Sequence, residues 1–133
     1  MLVLRKSLAL KRLKKRTVEL GSATIKASAS ANNIIMCCVD CRGNVVAWAS
    51  AGERGFKGAK KASPFAAQIT MESILKKVVG LGVRVVDVEV SGDSSNREIM
   101  LRALQAANVT VAVIREVTST VHNGCRPPKA RRT

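Results

Sequence analysis

The chain has 133 residues, is 47% apolar and carries a formal charge of +14 at pH 7. That length suits one compact domain with a modest core, and that apolar share excludes an intrinsically disordered chain. No apolar run approaches the roughly 20 residues that a membrane span needs, so the excess of positive charge is the feature that demands a partner.

The charge begins at once. Residues 1–16 hold seven bases and no acid, among them Arg12, Lys14, Lys15 and Arg16. Such a run repels itself and becomes ordered against a polyanion, which could be nucleic acid, an anionic membrane or an acidic protein. It shares the acid-poor character of an organellar targeting segment but lacks the serine enrichment and clear end of one. We therefore read it as mature sequence that binds RNA.

Residues 23–28 and 34–40 read as strands, with Asn32 and Asn33 as the turn between them. Residues 41–44 supply a second turn and 45–50 a third strand, which together predict an antiparallel meander. A loop at 52–61 follows, in which Arg54, Lys57, Lys60 and Lys61 stand among Gly55 and Gly58. Glycines let a backbone approach phosphate closely. Taken alone, a solvated loop explains this segment equally well.

Ser63 and Pro64 open a helix, as N-cap and first helical residue. Ala67, Met71, Ile74, Leu75 and Val78 fall on one face, Glu72 and Lys76 form an exposed i, i+4 pair, and Gly80 and Gly82 end the helix. Residues 83–90 alternate as a fourth strand, with a slip of phase at Val85 and Val86. After a polar loop at 91–96, Ser95 and Glu98 match a capping box. Ile99, Leu101, Leu104 and Ala107 give the second helix its apolar residues, Asn108 stops it, and 109–114 is a fifth strand. From 117 onward there are four bases, Arg126, Lys129, Arg131 and Arg132, and no acid.

Three strands followed by helix, strand, helix and strand predict an α/β fold with a mixed five-stranded sheet and helices packed against it. The expected organisation is a basic N-terminal tail at 1–20, a single α/β RNA-binding domain at 21–117 and a basic C-terminal tail at 118–133. Aromatic residues are too few to build a base-stacking platform, with Trp48, Phe56, Phe65 and no tyrosine. RNA contacts should therefore go to phosphates, sugars and groove shape.

Two other chemistries have residues of the right type. Cys38 and Cys41 have metal-ligand spacing, and His122 and Cys125 would complete a Cys₃His set. The blander reading is preferred, because Cys38 and Cys41 straddle a strand end and a turn, and Cys37 and Cys38, pointing to opposite faces of a strand, suit packing better than a disulfide framework. With no secretory signal, a reducing compartment fits these thiols. Asp87 and Glu89 share a strand face and with Asp40 could hold Mg²⁺ for a nuclease. Strand-surface acids are commoner, and no nucleophile–base pair accompanies them.

Two longer segments carry a family likeness. GFKGAKKASPFAAQ at 55–68 and HNGCRPPKARR at 122–132 closely resemble the universal small-subunit ribosomal protein S-eleven family, in its bacterial or organellar form. Asn32, Asn33, Gly43, Asn44, Trp48, Arg97, Glu98, Arg102 and Leu104 match it as well, and the likeness runs from about Gly21 to the C-terminus. The resemblance implies a three-layer fold similar to ribonuclease H and a structural role without catalysis or cofactor. It implies a place on the small-subunit platform, contact with ribosomal RNA, neighbouring platform proteins, and messenger RNA nearby on its exit path. It adds Asn32, Asn33, Arg97, His122, Asn123 and Gly124 to the candidate RNA-binding residues. In the C-terminal segment, the planar fork of Arg126 suits phosphate or base, and Pro127 and Pro128 stiffen an extended strand.

The sequence departs from the family at three places. Residues 91–96 replace a glycine- and proline-rich loop, keep only Gly92 and add the charge of Asp93, which leaves Arg97 as that region's candidate. Ala31 stands where the family has Phe, and Ser119, Thr120 and Val121 stand where it has Pro-Ile-Pro, so the tail should leave the domain less rigidly. The expected location is a ribosome, in an organellar matrix (mitochondrion ahead of plastid) or a bacterial cytoplasm.

Overall fold

The computed structural model describes residues 21–92 and 94–133. Its strands are β1 Ser22–Ala29, β2 Ile34–Val39, β3 Val45–Ser50, β4 Val85–Gly92 and β5 Thr110–Glu116. Its helices are α1 Pro64–Gly80 and α2 Ser94–Gln105, with a 3-10 helix at Gly58–Ala62 before α1. The five strands form one mixed sheet in the order β3-β2-β1-β4-β5. β1–β2 and β2–β3 are antiparallel, whereas β1–β4 and β4–β5 are parallel.

Both crossovers, from β3 through α1 to β4 and from β4 through α2 to β5, run the same way across the sheet. Parallel connections are right-handed, so both helices lie on one face. Burial agrees. Ala23, Ile25, Ala27 and Ala29 of β1, Ile34, Met36 and Cys38 of β2, and Val86, Val88 and Val90 of β4 are buried. They pack with Met71, Ile74, Leu75 and Val78 of α1 and Met100 and Leu104 of α2 in one core. The alternate residues of the same strands face outward. Lys26, Glu89 and Arg115 stand in register across β1, β4 and β5 on that second face. Glu89 there pairs with Lys26 at 3.6 Å and with Arg115 at 3.5 Å.

The expected α/β architecture, a mixed five-stranded sheet with helices against it, is present. The described residues build two layers of it, and none of them forms the third layer that the resemblance implies, because the chain after β5 runs on as an extended segment. Element ends shift slightly. β4 begins at Val85 and Val83 packs into the core ahead of it, which accounts for the slip of phase. β4 also pairs as far as Gly92, opposite Ala29, so α2 starts at Ser94 and Ser95 lies inside its first turn. Ser63 caps α1 as expected, its hydroxyl accepting from Ala66 N at 3.3 Å, and Gly82, with φ +83°, follows the Leu81 C-cap. Glu72 accepts from Gln68 Nε2 at 3.0 Å in place of the predicted pair with Lys76.

Candidate nucleic-acid interface

The strand registers divide the molecule into two ends. At one end lie the turn after Ala29, the loop after Ser50, the start of α2 after Gly92 and the chain leaving Glu116. Three parallel strands, β1, β4 and β5, present their C-terminal ends there. At the other end, about 26 Å away for eight residues of strand, lie Gly21, the 40–44 turn, the turn after Gly80 and Asn108.

The first end gathers most of the candidate residues. In the 30–33 turn, Ser30 Oγ accepts from Asn33 N at 3.1 Å, and Asn33 Oδ1 accepts from Ile34 N at 2.8 Å. Asn33 is thus occupied in shaping the turn, while Asn32 is exposed. The basic segment 52–61 is more ordered than a glycine-rich loop predicts. Arg54 N and Phe56 N donate to Ser50 O and Ala51 O, both at 3.2 Å, and Gly55 and Gly58 take φ of +91° and +61°, where a side chain is strained. Phe56 packs edge-on to Phe65 with ring centroids 5.9 Å apart, fastening the loop to the first turn of α1. The 3-10 helix at 58–62 is not legible in the sequence, since so short a run carries no apolar period.

Glu53 is the one acid in this loop, and Lys77 takes it up at 3.0 Å. The Lys77 hydrogen bond holds the Glu53 carboxyl below the usual carboxylate range. Lys77 Nζ also donates to Trp48 O at 2.6 Å and lies 5.5 Å from the Trp48 ring. With Glu53 so engaged, Arg54, Lys57 and Lys60 present exposed charge, and Lys61 is half-buried beside them.

The C-terminal segment leaves from the same end. Val117 N donates to Val90 O at 3.0 Å, and Gly92 N donates to Thr118 Oγ1 at 3.2 Å. Beyond it, His122, Asn123, Gly124, Arg126, Lys129, Arg131 and Arg132 are all exposed. Asn123 has φ +73° and Gly124 φ +26°, a bend that Asn and Gly tolerate best.

Arg97 sits between loop and tail, and its guanidinium forms an ion pair with Glu116. Its neighbour Asn96 is 2% exposed and donates from Nδ2 to Ala62 O at 3.2 Å. Asn96, Glu116 and Thr118 were not singled out from the sequence. Their partners lie 34, 19 and 26 residues away, and from the sequence Asn96 reads only as the end of a polar loop.

Arg12, Lys14, Lys15 and Arg16 lie outside the described residues, as does Asp93. The N-terminal segment joins the domain at Gly21, at the end opposite to the loop and C-terminal segment.

The alternative chemistries are not assembled. Cys38 faces the core, Cys41 is in the turn at the far end, and Cys125 is on the exposed C-terminal segment. Among the described residues no three of His, Cys, Asp or Glu cluster as a metal site. Asp40 accepts from Arg42 N at 2.8 Å and Asn44 N at 2.9 Å in its turn, and β1 stands between it and Asp87 and Glu89 of β4.

Comparison with known proteins gives one consistent result. The family described as Ribosomal protein S11 matches residues 21–132. A small ribosomal subunit protein uS11 from Desulfovibrio desulfuricans is 49% identical over 122 residues, covering 92% of this chain and 93% of that protein. Its counterpart from Thermosynechococcus vestitus is 50% identical over 121 residues, covering 91% and 92% respectively.

Proposed function

The chain belongs to the ribosomal protein S11 family, and from that premise we propose that it holds small-subunit ribosomal RNA against the β1–β4–β5 end of its sheet. It is a structural constituent of the small ribosomal subunit and not an enzyme. The observation that carries the proposal is convergence. The basic segment 54–61, the exposed Asn32 and the root of an acid-free C-terminal segment share one end of the sheet, while the nearby acids Glu53 and Glu116 are each paired to a base.

Arg54, Lys57, Lys60 and Lys61 neutralise phosphates from a braced loop, and Gly58 lets the backbone come close. His122, Asn123 and Gly124 bend the C-terminal segment, after which Arg126, Lys129, Arg131 and Arg132 follow an RNA groove. Arg12, Lys14, Lys15 and Arg16 add further phosphate contacts by their charge. The division into tail 1–20, domain 21–117 and tail 118–133 is the working unit of this reading. Its neighbours are platform proteins and the messenger RNA exit path. The ribosome is of bacterial type, and the altered 91–96 and 119–121 segments favour an organelle, mitochondrial ahead of plastid, over a bacterial cytoplasm.

The test is ultraviolet crosslinking of assembled subunits, followed by mapping of crosslinked peptides. Crosslinks to ribosomal RNA concentrated in 54–61 and 122–132 would support the proposal. Crosslinks confined to the Lys26–Glu89–Arg115 face would overturn it.

A further inference from the structure

Two adjacent residues in the first turn of α2 reach in opposite directions. Asn96 holds the 3-10 helix through Ala62 O at 3.2 Å, and Arg97 holds the root of the C-terminal segment through Glu116. Thr118 completes the second arm, because its hydroxyl accepts from Gly92 N at 3.2 Å and lies 3.4 Å from Glu116 Oε1. Gly92 is itself locked, with φ +103° and no room for a β-carbon against Ala29. We propose that Asn96 and Arg97 form a two-sided clamp that sets the C-terminal segment at a fixed angle to the basic loop, so that both meet one RNA surface together.

The physical reason lies in entropy. A segment of sixteen residues without helix or strand, 118–133, loses conformational freedom, at an entropic cost, when it is ordered by binding. Fixing its first residues in the free protein removes part of that cost and makes loop and tail contacts mutually reinforcing. The clamp also explains how the segment leaves in a defined direction although Ser119, Thr120 and Val121 lack prolines. Side-chain bonds to Gly92 and Glu116 supply the restraint. Arg97 is thus a positioning residue, 31% exposed at its side chain and spent on Glu116.

This inference rests on the proposed RNA interface, so its test separates the two. Backbone ¹⁵N relaxation is measured on the full-length protein without RNA, for wild type, Arg97→Ala, Thr118→Val and the exchange Arg97→Glu with Glu116→Arg. Ordered amides at 117–119 in wild type, mobile ones in both single variants and restored order in the exchange are expected. Unchanged relaxation in Arg97→Ala and Thr118→Val would overturn the clamp. Affinity for small-subunit ribosomal RNA is then measured for Lys60→Ala, Arg126→Ala and their combination, in wild-type and Arg97→Ala backgrounds. Coupling of the two losses in wild type, vanishing with Arg97→Ala, and a several-fold weaker affinity that the exchange recovers are expected. Failure of the exchange to recover affinity while it restores order would mean that Arg97 touches RNA itself, which also overturns the clamp. Salt-independent binding by wild type would instead overturn the interface reading, whatever the relaxation data show.

Discussion

Gly92 and Ala29 are partners in the parallel β1–β4 ladder, and a β-carbon built on Gly92 would overlap the Ala29 carbonyl oxygen. Gly92 also has φ +103°, a conformation that side chains rarely adopt. Gly92→Ala should therefore destabilise the domain by at least about 2 kcal/mol, from strain and steric overlap combined. Urea unfolding would read this as a lower midpoint at unchanged slope. A midpoint within error of wild type would contradict the close approach.

The thiols should react in an order set by burial. Cys38 is fully buried, and burial, with Cys37 and Asp40 adding to it, pushes its pKa up to about 11. Cys41 and Cys125 are exposed. Mild alkylation near neutral pH should label Cys41 and Cys125 and leave Cys38 untouched until urea unfolds the chain, as mass mapping would show. The sign for stability follows. A pKa raised in the folded state gives stabilisation that is present below the ordinary thiol pKa and lost as pH rises toward about 11. Replacing Cys38 by Ala should flatten that alkaline loss.

Asp40 behaves in the opposite sense. Backbone hydrogen bonds from Asn44 and Arg42 favour its ionised form and lower its pKa. Its support of the 40–44 turn is present above the ordinary aspartate pKa and lost as pH falls through the depressed one. Amide exchange at Arg42 and Asn44, after correction for intrinsic rates, should accelerate on acidification, and Asp40→Ala should abolish that pH dependence.

Binding to ribosomal RNA should be steeply salt-dependent. If Arg54, Lys57, Lys60, Lys61, Arg126, Lys129, Arg131 and Arg132 each neutralise a phosphate, log affinity falls against log salt with a slope of about −7, taking the duplex coefficient. Lys60→Ala should weaken binding and reduce the slope by about one. Trp48→Ala should leave the slope unchanged, since Trp48 lies on the edge strand β3 beside Lys77.

Much of the fold was legible because local chemistry decided it. The face of Ala67, Met71, Ile74, Leu75 and Val78 is buried as its spacing predicts, and Ser63 caps the helix it was expected to cap. The alternation in β4 survives because one face of the sheet is covered and the other is open. The charge pattern likewise separates basic tails from a nearly balanced centre.

The amino-acid sequence by itself determined the elements, since periodicity and caps act within a few residues of one another, and the family, through the motifs at 55–68 and 122–132. Only the tertiary structure decided which of the basic segments stand together. Strand order and direction put the loop after β3 and the root of the C-terminal segment after β5 at the same end of the sheet, on its two edges, and put Gly21, where the N-terminal segment joins, at the far end. It also brought Arg97, which the family resemblance offered as an RNA-binding candidate, into an ion pair with Glu116. Glu116, nineteen residues along the chain, reaches it only because β5 lies parallel to β4 and ends beside the first turn of α2.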